Sequence, residues 1–198
     1  MKPIQRVAVF CASSPGIDQE YFDSARELTR ELVHNGIAIN YGGGGKGLMG
    51  IIADTVLELN GKITGYIPVF MKEMEWSHPG VKDMVLVRDM HERKYRIKKD
   101  IDAIITLPGG VGTMDELMEF ITLKQLGQFT QPIIILNTRG FYDPLFQLLE
   151  RMMTEKFMRD IHGEIWTVIN HPGEVIDAIR NAPPWDSSAL KFAAVDKH

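Results

Sequence analysis

"ITLPGGVGTMDE", residues 105–116, changes character twice in a short space. An apolar run ends at Leu107. Pro108 and the glycines Gly109, Gly110 and Gly112 follow, and then Thr113, Asp115 and Glu116 open a helical pattern. A strand that passes through a glycine turn into a helix is the repeating unit of an α/β sheet. The same turn permits two readings. It is a helix start and nothing more, or a phosphate or ribose rests against the first helical amides, with Glu116 acting on it.

The flanking sequence repeats that unit. Short apolar runs recur at Val7–Phe10, Ile37–Asn40, Ile63–Ile67, Met84–Val87, Ala103–Leu107, Ile133–Leu136 and Ile165–Ile169. They are mostly continuous rather than alternating, as strands covered on both faces are. Helical periodicity lies between most of them. Asp18 precedes a stripe from Tyr21 to Val33 that Gly36 closes. Leu48 to Leu57 form a second stripe, and Met90, Ile97 and Ile101 mark a third helix. Thr113–Leu126, Pro144–Phe157 and Glu174–Asn181 supply three more. The alternation predicts a doubly wound parallel sheet of about seven strands with helices on both faces. Residues 1–182 read as one domain. The segment 183–198 loses periodicity and reads as a loosely attached tail.

Composition narrows the function classes. The chain of 198 residues is 44% hydrophobic and 24% charged, with a formal net charge of −4. A nucleic-acid polymer or an anionic membrane therefore exerts no general pull on it, and any anion needs a local site. The one cysteine, Cys11, fits a reducing, cytoplasmic setting. No apolar run approaches the ~20 residues of a membrane span, and the first residues read as a strand rather than a targeting signal.

A second glycine cluster, "NYGGGGKGLMG" at residues 40–50, follows the second strand. Glycine lets backbone N–H groups approach an anion, and a helix N-terminus adds about half a positive charge. Two such turns in one sheet point to two parts of one nucleotide-like ligand. Gly42, Gly44 and Gly47 satisfy G-x-G-x-x-G, but the next strand ends in "GYIP" without an acid for an adenosine ribose. An NAD site is not supported. A Walker loop fails too, because Asn40 stands five residues before Gly45, and Gly47 follows Lys46. The six histidines show no H-E-x-x-H spacing, so no metal site is expected. Cys11 reads as a small core residue, and Ser13 and Ser14 lack a G-x-S-x-G setting.

Thr113 and Glu116 have capping-box spacing, and on that ground alone capping is the simpler reading. The functional reading places an ionised Glu116 in the first helical turn, held charged by the helix dipole, against a ribose. Such a group is a poor general acid, and another residue must assist the leaving group. "RDMHERKYRIKKD", residues 88–100, offers Arg93, expected to share a face with Arg96 opposite Ile97 and Ile101; a solvated basic face is the plain alternative. Asp115 and Glu119 read as solvent or partner contacts. The helix from Thr113 is apolar on both sides: Met114, Leu117, Met118 and Ile121 on one, Phe120, Leu123 and Leu126 on the other. It needs two burial partners: the sheet on one side, and on the other a second copy or another helix of the same chain.

"GGGGKGLMG", "MHERK" and "PGGVGTMDE" occur in that order, with "CASSPG" before them and "KQLGQFTQPI" after. On these motifs, from about Arg6 to Ile179, the chain resembles the Lonely Guy (LOG) family of cytokinin riboside 5′-monophosphate phosphoribohydrolases. The resemblance implies a Rossmann-like fold and hydrolysis of the N-glycosidic bond of a nucleoside 5′-monophosphate, giving free base and ribose 5-phosphate. No metal or redox cofactor is implied, and a homodimer is. By motif position Arg93 and Glu116 are the implied catalytic pair, and Gly109, Gly110, Gly112 and Thr113 the phosphate cradle. Ser13, Ser14, Gly43 and Gly44 are further nucleotide contacts, and Met90 and Lys94 flank the arginine. Val111, Asp115 and Ala12 depart from commoner family residues, and Val111 bears on base preference. The lysine decarboxylase label often given to the family finds no independent support here as a pyridoxal phosphate site. The rival class is a non-catalytic carrier of a nucleotide or molybdenum cofactor on the same fold; retention of both Arg93 and Glu116 favours the enzyme.

Overall fold

The computed structural model describes residues 3–74 and 76–189. Its centre is a parallel sheet of seven strands: β1 (Arg6–Phe10), β2 (Ala38–Tyr41), β3 (Ile63–Pro68), β4 (Met84–Val87), β5 (Ala103–Thr106), β6 (Ile133–Leu136) and β7 (Trp166–Ile169). β2, β5 and β6 are buried along their whole length, whereas β4 and β7 are only partly covered. The order β4-β3-β2-β1-β5-β6-β7 explains this, because it puts β4 and β7 at the edges.

Seven α-helices accompany the strands: α1 (Gln19–His34), α2 (Gly47–Glu58), α3 (Val69–Glu73), α4 (Met90–Ile97), α5 (Val111–Gln125), α6 (Asp143–Thr154) and α7 (Val175–Asn181). α1, α2 and α7 cover one face, burying Leu28, Leu32, Leu48, Ile52 and Ile176 against the sheet. α4, α5 and α6 cover the other, with Ile97, Leu117, Phe120 and Ile121 at its core. The helices begin and end where local chemistry dictates. The Asp18 carboxylate accepts from the Glu20 amide at the start of α1, and Gly36 turns the chain afterwards at φ 71°. The third helix stops at Ile97, short of Ile101, and Asp100 adopts a positive φ of 56°. α3 was not legible in the periodicity; it buries none of its residues.

The chain winds outward from β1 to β4, then returns to the other side of β1 to build β5, β6 and β7. Neighbouring connections after β1 and β5 therefore leave to opposite faces and open a crevice between them. Such switch points, at the carboxyl ends of parallel strands, are where ligands bind in open α/β sheets. The β1 loop, Cys11–Ser14, and one of the two glycine turns singled out from sequence, Leu107–Gly110, leave from this point.

Within the tail segment, the Trp185 indole donates to the Lys124 carbonyl at 2.6 Å, and the Ser187 backbone packs against Gly127. Residues 190–198 lie outside the described residues. No helix among the described residues is long and apolar enough to cross a membrane.

Candidate active site

Three strand-end loops meet at Ala12. Its amide donates to the Pro108 carbonyl, and its carbonyl accepts from the Leu48 and Met49 amides at 2.9 and 3.3 Å. The ends of β1 and β5 and the start of α2 are thereby joined. The last two bonds change the reading of the first glycine turn. Two of the amides at the head of α2 already have a carbonyl partner, so they are not free to receive an anion. Gly47 is required there: its φ is 60°, and a Cβ would fall 2.5 Å from the Ser13 carbonyl carbon. The head of α5 is different. It starts at Val111 after Gly110 and has no side-chain cap, leaving early amides without partners in their own helix.

A cavity of about 610 Å³ opens between these loops. Gly110, Val111, Gly112 and Thr113 border it at the head of α5, Ser13 and Ser14 on the β1 loop, and Gly42, Gly44, Gly45 and Lys46 on the β2 loop. Met49, Ile67, Met71, Trp76 and Met90 form an apolar wall, and Cys11, Arg93 and Glu116 complete the lining. Trp76 belongs to a segment that pairs with the glycine turn: Gly45 donates to the Trp76 carbonyl, and His78 to that of Gly43.

Arg93 is 6% exposed, and α4 is clamped to aim it. The Asp89 carboxylate accepts from the Glu92 amide at one end, while Asn40 of β2 donates to the Ile97 carbonyl at the other. Arg93 Nε donates to the Tyr66 carbonyl at 2.9 Å, and Nη2 to the Gly42 carbonyl at 3.0 Å. Nη1 faces Met90 Sδ at 3.8 Å and Glu116 Oε1 at 3.6 Å. The expected common face with Arg96 is not formed. Arg93 shares the buried face with Ile97, while Arg96 is exposed and pairs with Glu92. Hydrogen bonds from Arg88, first through its backbone and then through its side chain, hold the Glu92 carboxyl down at about 2.

Glu116 also departs from expectation. With α5 starting at Val111, Thr113 is already inside the first turn and Glu116 lies in the second, so the two do not form a capping box. Glu116 is 4% exposed. Burial pushes its pKa up to about 7, against the opposing pull of Arg93. The carboxylate is thus not locked in its charged form by the helix dipole, and it can exchange protons near neutrality. Among the described residues it is the only acid in the lining.

Most of the residues singled out from sequence converge here: Arg93, Glu116, Ser13, Ser14, Gly44, Met90, Gly110, Gly112 and Thr113. Three stand behind the lining. Gly43, at φ 79°, packs against Ile67 and Met84, and Gly109 leaves room for the Thr113 side chain. Lys94 is outside the lining and pairs with Asp115, at 3.1 Å, and with Glu119, so these two acids of α5 have a partner within the chain. Sequence reasoning missed Gly42, whose place in the glycine run was the available signal, and Met71 and Trp76, for which no local pattern existed.

A doubly wound α/β fold with an uncapped helix head and a buried acid–guanidinium pair at its switch point defines a Rossmann-like protein with a nucleotide-sized site. The family described as "Possible lysine decarboxylase" matches residues 49–179. A probable cytokinin riboside 5′-monophosphate phosphoribohydrolase of Oryza sativa subsp. japonica is 45% identical over 78% of this chain and 69% of its own. A cytokinin riboside 5′-monophosphate phosphoribohydrolase of Arabidopsis thaliana is 40% identical over 78% and 72%. The chain belongs to this family, the LOG family. The solved molybdenum cofactor carrier protein of Chlamydomonas reinhardtii superposes with a TM-score of 0.68 at 16% identity, covering 90% of this chain and 98% of that one. At that identity the likeness shows the fold alone.

Two outcomes follow from the packing. A Cβ at Gly42 would overlap Arg93 Nη2. A crystal structure of Gly42→Ala should therefore show the guanidinium displaced from the Gly42 carbonyl; an unmoved Arg93 would refute this role for the glycine. For Glu116 the folded pKa, about 7, lies above the ordinary 4.5. Its contribution to stability is full below about 4.5 and lost as pH rises through 7, on the order of 3 kcal/mol in total. The melting temperature of Glu116→Gln relative to the unsubstituted protein should hence rise by several degrees between pH 5 and pH 8. A difference independent of pH would contradict the buried-charge account.

Proposed function

We propose that the protein hydrolyses the N-glycosidic bond of a nucleoside 5′-monophosphate, a cytokinin riboside 5′-monophosphate or AMP, releasing the free base and ribose 5-phosphate. The observation that carries this reading is that one cavity is lined by the buried Arg93–Glu116 pair, the uncapped head of α5 and an apolar wall. The head of α5 suits the phosphate, since its amides point outward with the positive end of the helix dipole. The wall of Met49, Ile67, Met71 and Trp76 suits a flat apolar base. A nucleotide laid between them brings its sugar to the acid. The names of the two plant relatives agree with that substrate class.

Two-carboxylate glycosidases use one acid to protonate the leaving group and another to handle water. Among the described residues this cavity has one, and we divide the work differently. Glu116, ionised above about pH 7, accepts the proton of the water that attacks C1′ and balances positive charge growing on the sugar. The C1′–N bond breaks with its electrons passing to the base. Arg93, fixed by two backbone carbonyls, stabilises the departing base as it gains that negative character; the base then takes up a proton from solvent, and Glu116 releases to solvent the one it accepted. Thr113 and the glycines at the head of α5 keep the phosphate end still during the step.

Incubation with AMP and N6-substituted AMP, followed by chromatography, tests the reading: free base and ribose 5-phosphate should appear, and the rate should rise with pH through about 7. Glu116→Gln should cut turnover by about 10²–10³ and abolish that pH limb. Near-normal turnover of the variant would reject the assignment, and tight nucleotide binding without release of base would favour the carrier class.

We also infer that two copies associate. Met114, Met118 and Leu123 of α5 are only partly buried within the chain, and Tyr95 of the neighbouring α4 is 64% exposed. Covering these side chains requires a surface from outside the protomer. Light scattering at micromolar concentration should give twice the 22.4 kDa chain mass; a mass of one chain would overturn the inference.

A further inference from the structure

Among the described residues the cavity is lined by three charged side chains, Arg93, Glu116 and Lys46. Arg93 has its N–H groups directed to the Tyr66 and Gly42 carbonyls and faces Glu116. Lys46 differs from the other cavity cation in every respect. It is exposed, it sits at the N-cap position of α2 without capping the helix, and it pairs with no acid among the described residues. Its backbone neighbours are also committed, because the Leu48 and Met49 amides serve the Ala12 carbonyl. The Leu48 and Met49 amides that follow the "GGGGKG" turn are therefore not free to bind an anion, the route its glycines suggest. What it offers the cavity is an ammonium on a flexible stem.

We propose that Lys46 is a phosphate-binding residue: its ammonium closes over the 5′-phosphate from the β2 side while the head of α5 holds it from the other. This rests on the nucleotide reading above and extends it by naming the cation that neutralises the substrate. A dianionic phosphate at a helix head retains uncompensated charge, and among the described residues the remaining unpaired positive group in the lining is Lys46, at the head of α2. A lysine suits this task because three rotatable donors follow a phosphate without a fixed geometry. It also confines the contact to the part of the substrate that does not react, so the interaction is equal in ground and transition states and appears in KM rather than kcat.

The experiment compares the unsubstituted protein with Lys46→Ala and Lys46→Arg, by steady-state kinetics on AMP and by calorimetric titration with inorganic phosphate. In Lys46→Ala the KM for AMP should rise about tenfold, the loss expected for one charge-assisted hydrogen bond, with kcat changed by no more than about twofold. Phosphate affinity should fall by a similar factor, and Lys46→Arg should recover most of both. Raising the salt concentration should weaken AMP binding to the unsubstituted protein more than to Lys46→Ala. Unchanged KM and phosphate affinity in Lys46→Ala would overturn the proposal, as would a fall in kcat at constant KM. If the protein releases no base from AMP, the hydrolase reading fails; the titrations then decide the Lys46 proposal alone. Phosphate binding lost in Lys46→Ala sustains it, and no phosphate binding to the unsubstituted protein ends it. Because Lys46 is exposed, the variants should melt with the unsubstituted protein.

Discussion

The site depends on how a guanidinium is kept inside the protein. An ion buried without partners is costly enough that most proteins avoid it. Here the cost is offset by backbone carbonyls at the ends of two strands: Tyr66 of β3 and Gly42 just beyond β2. The sheet thus fixes two acceptors, and α4, held at both ends, brings the donor to them. With Nε and Nη2 committed, Nη1 is left facing the cavity and Glu116. The arginine's direction is set by the backbone rather than by its acidic partner, so the carboxylate is free to change its protonation without the arrangement losing its anchor.

Glu116 follows from the same economy of space. Moving it one helical turn inward from the helix start takes it out of reach of the exposed terminal amides and into apolar surroundings. Desolvation then outweighs the nearby positive charge, and the group sits close to neutrality in its proton affinity. The direction is opposite to that of Glu92, an exposed carboxyl whose hydrogen bonds with Arg88 keep it ionised. Two glutamates within one acid-and-arginine-rich neighbourhood thus acquire opposite behaviour, Glu116 from burial and Glu92 from its hydrogen bonds with Arg88.

The fold was readable because its signals are local and repeated. Every strand was expected within a residue or two, since continuous apolar runs such as "IIIL" admit few alternatives in an alternating chain. α3 escaped because five residues without a buried side chain leave no period to detect. At the site, glycine turns and the arginine and glutamate stood out by residue type and order, while their roles in packing did not. Helix α5 begins two residues before Thr113, and this shift alone turns a plausible cap into an interior acid. Lys94 looked like a site residue in its motif but pairs with Asp115 and Glu119, a contact between helices that no spacing rule anticipates. Met71 and Trp76 reach the cavity only through the pairing of their segment with the glycine turn.

Ala12 has a consequence beyond holding three loops together. Because its amide and carbonyl tie the ends of β1 and β5 to the start of α2, the charged part of the pocket is a stiff chassis in which a change to one loop strains the others. The apolar rim is built otherwise: α3 buries no side chain, and Trp76 is open to solvent. Drift in sequence can therefore reshape the mouth of the pocket, and with it the range of bases admitted, while the bond-breaking apparatus is inherited unchanged.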